Sequence, residues 1–403
     1  MRRGLDEAGA VAMVVVARSS RDPDLAPFVG PIHLGDALLV APRAAEPRLA
    51  YLTPMERDEA AATGLALLTP AELELFRLRT ELPAEEHFWA ALIERALTLV
   101  GVPPGRIVVA GSGRAGMMMA VGRALESRGW VPLPGQRLSL SLRKRKDARQ
   151  AREAERVAAA GTTAMRKVAE LLAAASTRGG ELWLEGEPLR VARLKREIAR
   201  TLAGFEIEQP EGNIVAPAEE GAVPHSTGTA ERVLRSGESL VVDLFPRGWL
   251  FADMTRTFCV GPPPEPLELA HAAVLAALGR AHARLAEAAP TWGLRASSLQ
   301  DMTCSHFANL GYPTLVSDPA TTTGYVHNLG HGVGFDLHEY PSFRREAGAE
   351  GVLAPGDLLT LEPGLYDPQV GWAVRLEDLV LLEADGPRNL TPLPYDLDPR
   401  AWH

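Results

Sequence analysis

Four acidic residues stand in apolar runs where a packed strand should carry aliphatic side chains. Asp243 ends the run LVVD and Asp253 lies in FADMTRTF, while Glu362 ends LLTLE and Glu377 lies within AVRLEDLVLL. Burial and mutual repulsion both disfavour ionised carboxylates, so four of them together require compensating positive charge. We therefore expect a fold that gathers these strands around cations.

The connection between the first two acidic residues predicts a β-hairpin. The segment Pro246 to Gly248 supplies turn residues after Asp243, and 249–260 reads as a returning strand that contains Asp253. Paired strands bring their side chains together across the ladder. The two aspartates are therefore predicted to lie near each other.

The segment HNLGHGVGFDLHE, residues 327–339, adds candidate ligands. It carries His327, His331 and His338 among glycines that allow backbone and ligand to approach closely. Two divalent cations would balance four carboxylates, and such ligands suit Mn, Co or Zn. Taken singly, a strand aspartate is usually a turn or bulge residue and a histidine an ordinary core or surface side chain. Their joint occurrence predicts a metal site.

The first 142 residues predict a small α/β domain. Short aliphatic runs at 11–16, 36–41 and 107–110 are typical of strands, and residues 83–99 favour a helix. The Pro- and Gly-containing stretch VPLPGQ then ends this part of the chain. We expect domain boundaries of 1–142 and 143–403.

A basic cluster, Arg143 to Lys146, stands at the start of the second part. It precedes an Ala/Arg/Glu-rich segment that predicts a helix over 147–175. A charge run beside a helix start is usually solvated. We expect this cluster to be an exposed helix start or interdomain hinge rather than a site for an anionic ligand.

Residues 143–403 run twice through the same order of predicted elements. The first pass has helices and then strands at 147–175, 189–203, 213–216, 238–243 and 249–260, and the second at 266–288, 296–309, 324–335, 357–362 and 373–382. This doubled order predicts an α+β domain of two related halves around one antiparallel sheet, with helices on one face.

Composition excludes several classes of function. The 403 residues carry a net charge of -9, which argues against a nucleic-acid binder because backbone neutralisation needs clustered positive charge. The 2 cysteines, Cys259 and Cys304, suit a reducing compartment, so a cytoplasmic location is expected. The run Ala8 to Ala17 reads as a buried strand rather than a signal peptide. No stretch approaches the ~20 apolar residues of a membrane span, so no membrane association is expected.

Five motifs, in order, resemble the signature segments of a known family. They are DMTRTF at 253–258, HNLGHGVG at 327–334, LHEYP at 337–341, LEPGLY at 361–366 and VRLED at 374–378. They are similar to those of the pita-bread (creatinase/aminopeptidase-like) metallopeptidases, in the Xaa-Pro dipeptidase (prolidase) and Xaa-Pro aminopeptidase branch. The resemblance covers residues 143–390 and, more weakly, a creatinase-like N-terminal domain.

The resemblance implies a dinuclear site with assigned ligands. Asp243 would chelate one ion, and Asp253 and Glu377 would bridge both. His331 and Glu362 would complete the other ion. The family usually has Asp-x-Gly at the first ligand and a gap one residue longer between the two aspartates than the 10 found here (253 - 243). We attribute the shorter gap to a trimmed hairpin turn.

The resemblance also assigns groups that face the substrate, namely His225 in VPHSTG, His327 and His338, and it places Arg375 beside Glu377. Two positions apart on a strand, Arg375 and Glu377 would share a face, so the guanidinium would orient a ligand carboxylate. A water bridging two metals would become a nucleophile, with Glu362 as general base.

The predicted reaction is hydrolysis of the Xaa-Pro bond by a metal-bridging hydroxide. The departing nitrogen must gain a proton, for which Glu362, His327 and His338 are candidates. We favour dipeptides ending in proline, with Arg375, Arg344 or Arg345 binding the free carboxylate. Related enzymes imply a homodimer.

Four alternatives remain for this activity. The first is an Xaa-Pro aminopeptidase (aminopeptidase P) that acts on longer peptides with proline in second position. A methionine aminopeptidase, a metal-free creatinase type and a catalytically dead protein-binding module rank below it, since no ligand is missing and a domain of roughly 140 residues precedes the motifs.

Overall fold

The computed structural model describes residues 1–402, which form two compact units, Met1–Arg143 and the chain from Lys144 onward. The first unit contains helices α1 (Arg2–Ala8), α2 (Ala26–Val29), α3 (Arg57–Ala62), α4 (Leu75–Glu81), α5 (Glu85–Leu99), α6 (Ala115–Glu126) and α7 (Gln136–Arg143). Its strands are β1 (Ala12–Ala17), β2 (Ala37–Pro42), β3 (Arg48–Tyr51), β4 (Ala66–Leu68), β5 (Arg106–Ala110) and β6 (Val131–Pro134).

One mixed sheet of six strands, in the order β4-β3-β2-β1-β5-β6, organises this unit. The central strand β1 is buried on both faces: Val14 and Val16 pack in the cluster that contains Trp89 of α5, while Met13 and Val15 pack in the opposite one. This two-sided burial explains the uninterrupted aliphatic run, because strands covered on both faces lose the apolar-polar alternation. The predicted strands at 11–16, 36–41 and 107–110 and the helix at 83–99 are confirmed.

The second unit is richer in antiparallel strands. Its helices are α8 (Ala148–Ala173), α9 (Val191–Ala203), α10 (Ala218–Gly221), α11 (Glu265–Ala288) and α12 (Ala296–Asn309). Its strands are β7 (Ser176–Arg178), β8 (Glu181–Leu184), β9 (Glu187–Pro188), β10 (Asn213–Pro217), β11 (Leu240–Leu244), β12 (Met254–Phe258), β13 (His331–Gly332), β14 (Glu339–Ser342), β15 (Leu358–Leu361), β16 (Gly364–Asp367), β17 (Trp372–Arg375), β18 (Asp378–Leu382) and β19 (Pro387–Asn389). The predicted α+β class, with helices preceding strands twice, is confirmed.

The prediction of one antiparallel sheet in the second unit is wrong. The strands of the two halves form separate ladders, β10-β11-β12 in the first half and β14-β13-β15-β18-β19 with β16-β17 in the second. Short contacts join these ladders, among them the Glu377 N–H donating to the Thr255 carbonyl oxygen at 3.0 Å. The run 373–382 was predicted as one strand, but it contributes to two ladders. Strand β17 ends at Arg375, β18 begins at Asp378, and residues 376 and 377 connect them.

Helices α11 and α12 cover the sheet of the second half. Leu278 and Phe307 pack with Leu359, Leu361 and buried neighbours in one cluster. Helix α8 starts with a capping box. The Asp147 carboxylate accepts from two backbone N–H groups, and the Gln150 side-chain oxygen accepts from the Asp147 N–H. The predicted helix over 147–175 is therefore confirmed.

The prediction that the basic cluster is solvated is wrong. Arg143, Lys144 and Lys146 are buried, and only Arg145 is exposed. Lys144 Nζ lies 2.6 Å from Asp357 Oδ2, and Lys146 Nζ lies 2.5 Å from Glu339 Oε1. The two lysines are therefore buried, and each is neutralised by a buried carboxylate that lies far away in the sequence.

Among the helices within residues 1–402, none is long and apolar enough to traverse a bilayer.

Candidate metal centre

The first two carboxylates stand at the open end of the β11–β12 ladder. Asp243 lies on β11 opposite Thr255 of β12, and Asp253 lies one residue before β12 begins. The connection between them is looser than the predicted hairpin, since the Ala252 N–H bonds the Pro246 carbonyl oxygen and 249–253 form no regular strand. The chain therefore turns both aspartates toward the same space without pairing them directly.

The other two carboxylates follow strands of the second half. Glu362 comes directly after β15, and Glu377 lies between β17 and β18. The Glu362 N–H donates to the Leu329 carbonyl oxygen at 2.6 Å, which holds this carboxylate beside the HNLGHGVG segment. The Thr255 hydroxyl donates to Glu377 Oε2 at 2.8 Å, which orients the other toward β12.

His331 meets the carboxylates through its Nε2 atom. This atom lies 3.5 Å from Asp253 Oδ2 and 3.4 Å from Glu362 Oε1. Potential ligand atoms of Asp253, His331 and Glu377 all lie within 4.8 Å of one another. The other ring nitrogen, Nδ1, lies 3.1 Å from the Gly332 carbonyl oxygen. A proton on Nδ1 satisfies that carbonyl and leaves the Nε2 lone pair directed at the cluster.

The carboxylates raise one another's pKa values. Burial and then the charges of Glu377, Asp243 and Glu362 raise the pKa of Asp253 well above its usual range. Burial followed by Glu362 and Asp243 does the same for the pKa of Glu377. Burial raises the pKa of Glu362 to about 8, although Arg375 opposes this shift. Without cations, this cluster holds protons that a free carboxyl group would have lost.

Two orphaned oxygens show that the cluster fits a cation. Asp243 Oδ1 and Asp253 Oδ1 are buried and have no hydrogen-bond partner among the described residues. A buried carboxylate oxygen without a donor is unfavourable unless a positive charge satisfies it. Oxygen donors with one imidazole nitrogen are a suitable ligand set for a divalent ion.

Arg375 contacts Asp243 rather than the neighbouring Glu377. Its Nη2 lies 2.7 Å from Asp243 Oδ2, its Nη1 donates to the Tyr366 hydroxyl and the Pro224 carbonyl oxygen, and its Nε donates to the Thr255 hydroxyl. The Thr255 hydroxyl also donates to Glu377, so Arg375 and Glu377 share this one side chain. Strand β17 ends at Arg375 and β18 begins at Asp378, so residues 376 and 377 interrupt the predicted continuous strand.

The histidines predicted to face substrate fall into two classes. His327 is engaged on both nitrogens, with Nδ1 at 2.8 Å from the Asn328 carbonyl oxygen and Nε2 at 2.9 Å from the Tyr366 hydroxyl. His338 and His225 are exposed, and the His338 ring lies 4.3 Å from the His331 ring. The exposed pair therefore has ring nitrogens available to a bound molecule, whereas His327 does not.

Sequence reasoning missed the hydroxyl groups that bind these side chains. Thr255 contacts both Glu377 and Arg375, and Tyr366 joins Arg375 to His327. The Thr360 hydroxyl accepts from the His331 N–H at 3.1 Å. All three are buried and belong to strands, namely β12, β15 and β16, so polar residues inside a buried strand were the available signal.

The sequence profile of Metallopeptidase family M24 matches residues 149–384 of the chain. The Xaa-Pro dipeptidase of Pyrococcus furiosus is 33% identical over 217 residues, which are 53% of this chain and 56% of that protein. The chain thus aligns with little more than half the length of this curated relative.

Solved structures match almost the whole chain. The prolidase of Pyrococcus horikoshii superposes with a TM-score of 0.73 at 19% identity, covering 98% of both chains. The X-Pro aminopeptidase of Thermotoga maritima gives 0.71 at 17% identity, covering 98% of this chain and 99% of that one. At these identities the likeness establishes the fold, and the predicted pita-bread fold is confirmed.

Proposed function

The chain belongs to metallopeptidase family M24, and on that premise we propose that it hydrolyses the Xaa-Pro bond of dipeptides in a divalent-metal-dependent reaction. The observation that carries this proposal is the meeting of Asp253, His331 and Glu377, with Glu362 Oε1 3.4 Å from His331 Nε2. Two buried oxygens, Asp243 Oδ1 and Asp253 Oδ1, have no hydrogen-bond partner among the described residues. The name of the Pyrococcus furiosus relative, Xaa-Pro dipeptidase, supports the substrate class.

Five residues are proposed as ligands of two ions: Asp243, Asp253, His331, Glu362 and Glu377. Mn, Co and Zn are the proposed metals, because carboxylates with one imidazole suit hard or borderline ions. When bound, such ions polarise a carbonyl group and lower the pKa of a water molecule. They also neutralise the charge that raises the pKa of Asp253 and Glu377.

Glu362 is the proposed general base. Its side chain is 19% exposed, so it reaches the accessible side of the cluster, whereas Asp253 and Glu377 are nearly fully buried. A carboxylate in this position can accept a proton from the attacking water and hold it during the reaction. The departing proline nitrogen carries no hydrogen in the substrate and must receive that proton.

His338 and His225 are the proposed groups that contact the peptide. Their exposed rings can donate to the substrate carbonyl or pass a proton to the leaving nitrogen. His327 was predicted for the same role, but its contacts with Asn328 and Tyr366 suit a positioning residue. It would act through the hydrogen-bonded series from Tyr366 to Arg375 and Asp243.

An Xaa-Pro aminopeptidase remains the second candidate, and one observation favours it. A dipeptidase needs a cation for the free carboxylate of proline, yet Arg375 already donates to four oxygens of the protein. Arg345 is paired with Asp301 at 2.6 Å. Arg344 is exposed and is the remaining candidate among the three predicted arginines.

The deciding experiment compares an Xaa-Pro dipeptide with an Xaa-Pro-Xaa tripeptide after reconstitution with Mn, Co or Zn. We expect faster hydrolysis of the dipeptide, loss of activity on chelation, and two ions per chain by elemental analysis. Asp253→Ala and Glu377→Ala should lose both metal and activity, because each would undercoordinate both ions. Full activity after exhaustive chelation would refute the metal-dependent proposal, and preference for the tripeptide would establish the second candidate.

The remaining features of the protein are proposed from resemblance and composition. Residues 1–142 form a creatinase-like N-terminal domain that contributes to a homodimer. The protein acts in the cytoplasm on small peptides with proline in second position, without nucleic-acid or membrane partners.

A further inference from the structure

The buried lysine Lys146 contacts the segment that carries His338. Its Nζ atom lies 2.5 Å from Glu339 Oε1, and both side chains are 0% exposed. The lysine stands at the start of the second unit, 193 positions before its partner. Lys146 thus supplies a buried cation to the segment that carries His338, although the proposed chemistry does not use it.

The second oxygen of Glu339 closes the turn that precedes it. Glu339 Oε2 accepts from the backbone N–H of Phe335 at 3.2 Å and of Asp336 at 3.4 Å. Residue 334 has no space for a side chain, because a Cβ there would lie 2.1 Å from Glu339 Oε1 and 2.7 Å from Lys146 Nζ. Lys146 therefore fixes the carboxylate that shapes residues 334–339.

This turn also connects to both sides of the metal centre. The Gly334 carbonyl oxygen accepts from the Phe251 N–H at 2.7 Å, two residues before Asp253. At the other end, His338 precedes Glu339 directly, and its ring centroid lies 4.3 Å from that of His331, with the two rings tilted by 54°. The position of the His338 ring beside His331 therefore depends on how the turn is held.

We propose that Lys146 is a positioning residue that places His338 by fixing Glu339. This inference rests on the proposed function, in which His338 contacts the substrate. Removing one partner of a buried ion pair leaves the other charge buried and unpaired, so loss of Lys146 should lower stability as well as release the Glu339 carboxylate. The inference therefore depends on an effect on His338 that goes beyond the stability loss shared by any variant that breaks such a pair.

The chain offers a matched control in Lys144. Lys144 Nζ also pairs with a buried carboxylate, Asp357, at 2.6 Å, and it also donates to the Val352 carbonyl oxygen. Asp357 precedes β15, and its Oδ2 contacts Lys144 Nζ and accepts from the Ala354 N–H. Lys144→Met thus removes the same kind of ion pair from the same segment without touching the turn.

The test is a double-mutant cycle of Lys146→Met and His338→Gln, measured as kcat/KM for an Xaa-Pro dipeptide. We expect Lys146→Met to lower kcat/KM by about 10-fold or more, within the range of a misplaced proton-transfer group. In the His338→Gln background the same change should cost less than about 3-fold, because residues that act through one another are not additive. Metal content should be retained, and Lys144→Met should have little effect.

A structural measurement separates this inference from the proposed function. In zinc-loaded protein with labelled histidine, the ring signals of His338, assigned by their loss in His338→Gln, should shift in Lys146→Met and stay in place in Lys144→Met. If Lys146→Met does not fold, Glu339→Gln is carried through the same cycle and spectra. Unmoved His338 signals, or equal losses in both backgrounds, would overturn the inference. Absence of Xaa-Pro hydrolysis by the unmutated protein would refute the proposed function instead.

Discussion

Arg375 holds Asp243 through a hydrogen bond of 2.7 Å from Nη2 to Oδ2, and both side chains are buried. This bond occupies one carboxylate oxygen and leaves Oδ1 without a partner. The arginine therefore selects which oxygen of Asp243 faces the cluster. Its other donors are held by Thr255, Pro224 and Tyr366, which fixes the guanidinium plane.

We predict that Arg375→Met weakens metal binding by about 10- to 100-fold, the range found when a group that orients a ligand is removed. Because Arg375 contacts protein oxygens, kcat/KM should fall by the same factor for an Xaa-Pro dipeptide and for its C-terminal amide. The measurements are kcat/KM for both substrates at saturating metal and a metal titration.

The control for this prediction is Arg344→Ala. Arg344 is exposed, so its loss should leave metal binding unchanged and should affect only the free acid if it binds the proline carboxylate. A selective loss on the free acid in Arg375→Met would contradict our interpretation and would return Arg375 to the substrate site.

A second prediction concerns the stability of the metal-free protein. An acid with a higher pKa in the folded than in the unfolded state stabilises the fold at low pH and loses this contribution as the pH rises. The pKa of Glu362 is about 8 against a usual 4.5, and the pKa values of Asp253 and Glu377 are also raised. In chelator, the melting temperature should therefore fall as the pH rises from 6.5 to 8, by about 5 °C.

The lower limit of this window avoids an opposing effect. Burial lowers the pKa of His327 to about 4 from a usual 6.5. The contribution of this histidine to stability therefore increases as the pH rises toward 6.5 and stays constant at higher pH. Glu362→Gln should reduce the slope between pH 6.5 and 8, since the amide does not titrate. A metal-free protein whose melting temperature rises across this window would contradict the raised pKa values.

A third prediction is that metal binding releases protons. At pH 7 the metal-free cluster holds a proton on Glu362, because burial raises the pKa of this carboxyl group to about 8. Burial and the neighbouring carboxylates also raise the pKa values of Asp253 and Glu377, which favours further protonation of the cluster. Ligand carboxylates must be deprotonated, so binding should release one or more protons. Calorimetric titrations in two buffers of different ionisation enthalpy would measure the number. Identical heats in both buffers would refute this expectation.

Charged residues in apolar runs were the sequence signal for the candidate metal centre. Asp243, Asp253, Glu362 and Glu377 stood out because a buried strand rarely carries a carboxylate, and three of them, Asp253, Glu362 and Glu377, lie close to His331 in the structure. Their role as metal ligands stays a prediction. Helices and strands were also predictable from the sequence, because they depend mainly on residues that are close together along the chain.

Long-range partners were not predictable in the same way. Lys144 and Lys146 looked like solvated charges, but their partners lie 213 and 193 positions away. The strand interruption at residues 376 and 377 was also hidden, because there the Glu377 N–H bonds the Thr255 carbonyl oxygen of another strand. A local sequence pattern indicates that a charged residue needs an oppositely charged partner only when that residue is known to be buried.

The last prediction separates the histidines by their contacts. His338 and His225 are exposed and are the proposed contacts of the substrate, so His338→Ala and His225→Ala should lower kcat/KM by about 100-fold or more while metal content is retained. His327 instead contacts the Tyr366 hydroxyl, which also accepts from Arg375. His327→Gln and Tyr366→Phe should therefore produce overlapping defects, and the double variant should be little worse than the more impaired single one. Kinetics and elemental analysis of these variants are the measurements. If His338→Ala or His225→Ala loses metal, the residue supports the ions rather than the substrate. Additive losses in the double variant would show that His327 acts on the substrate independently of Tyr366.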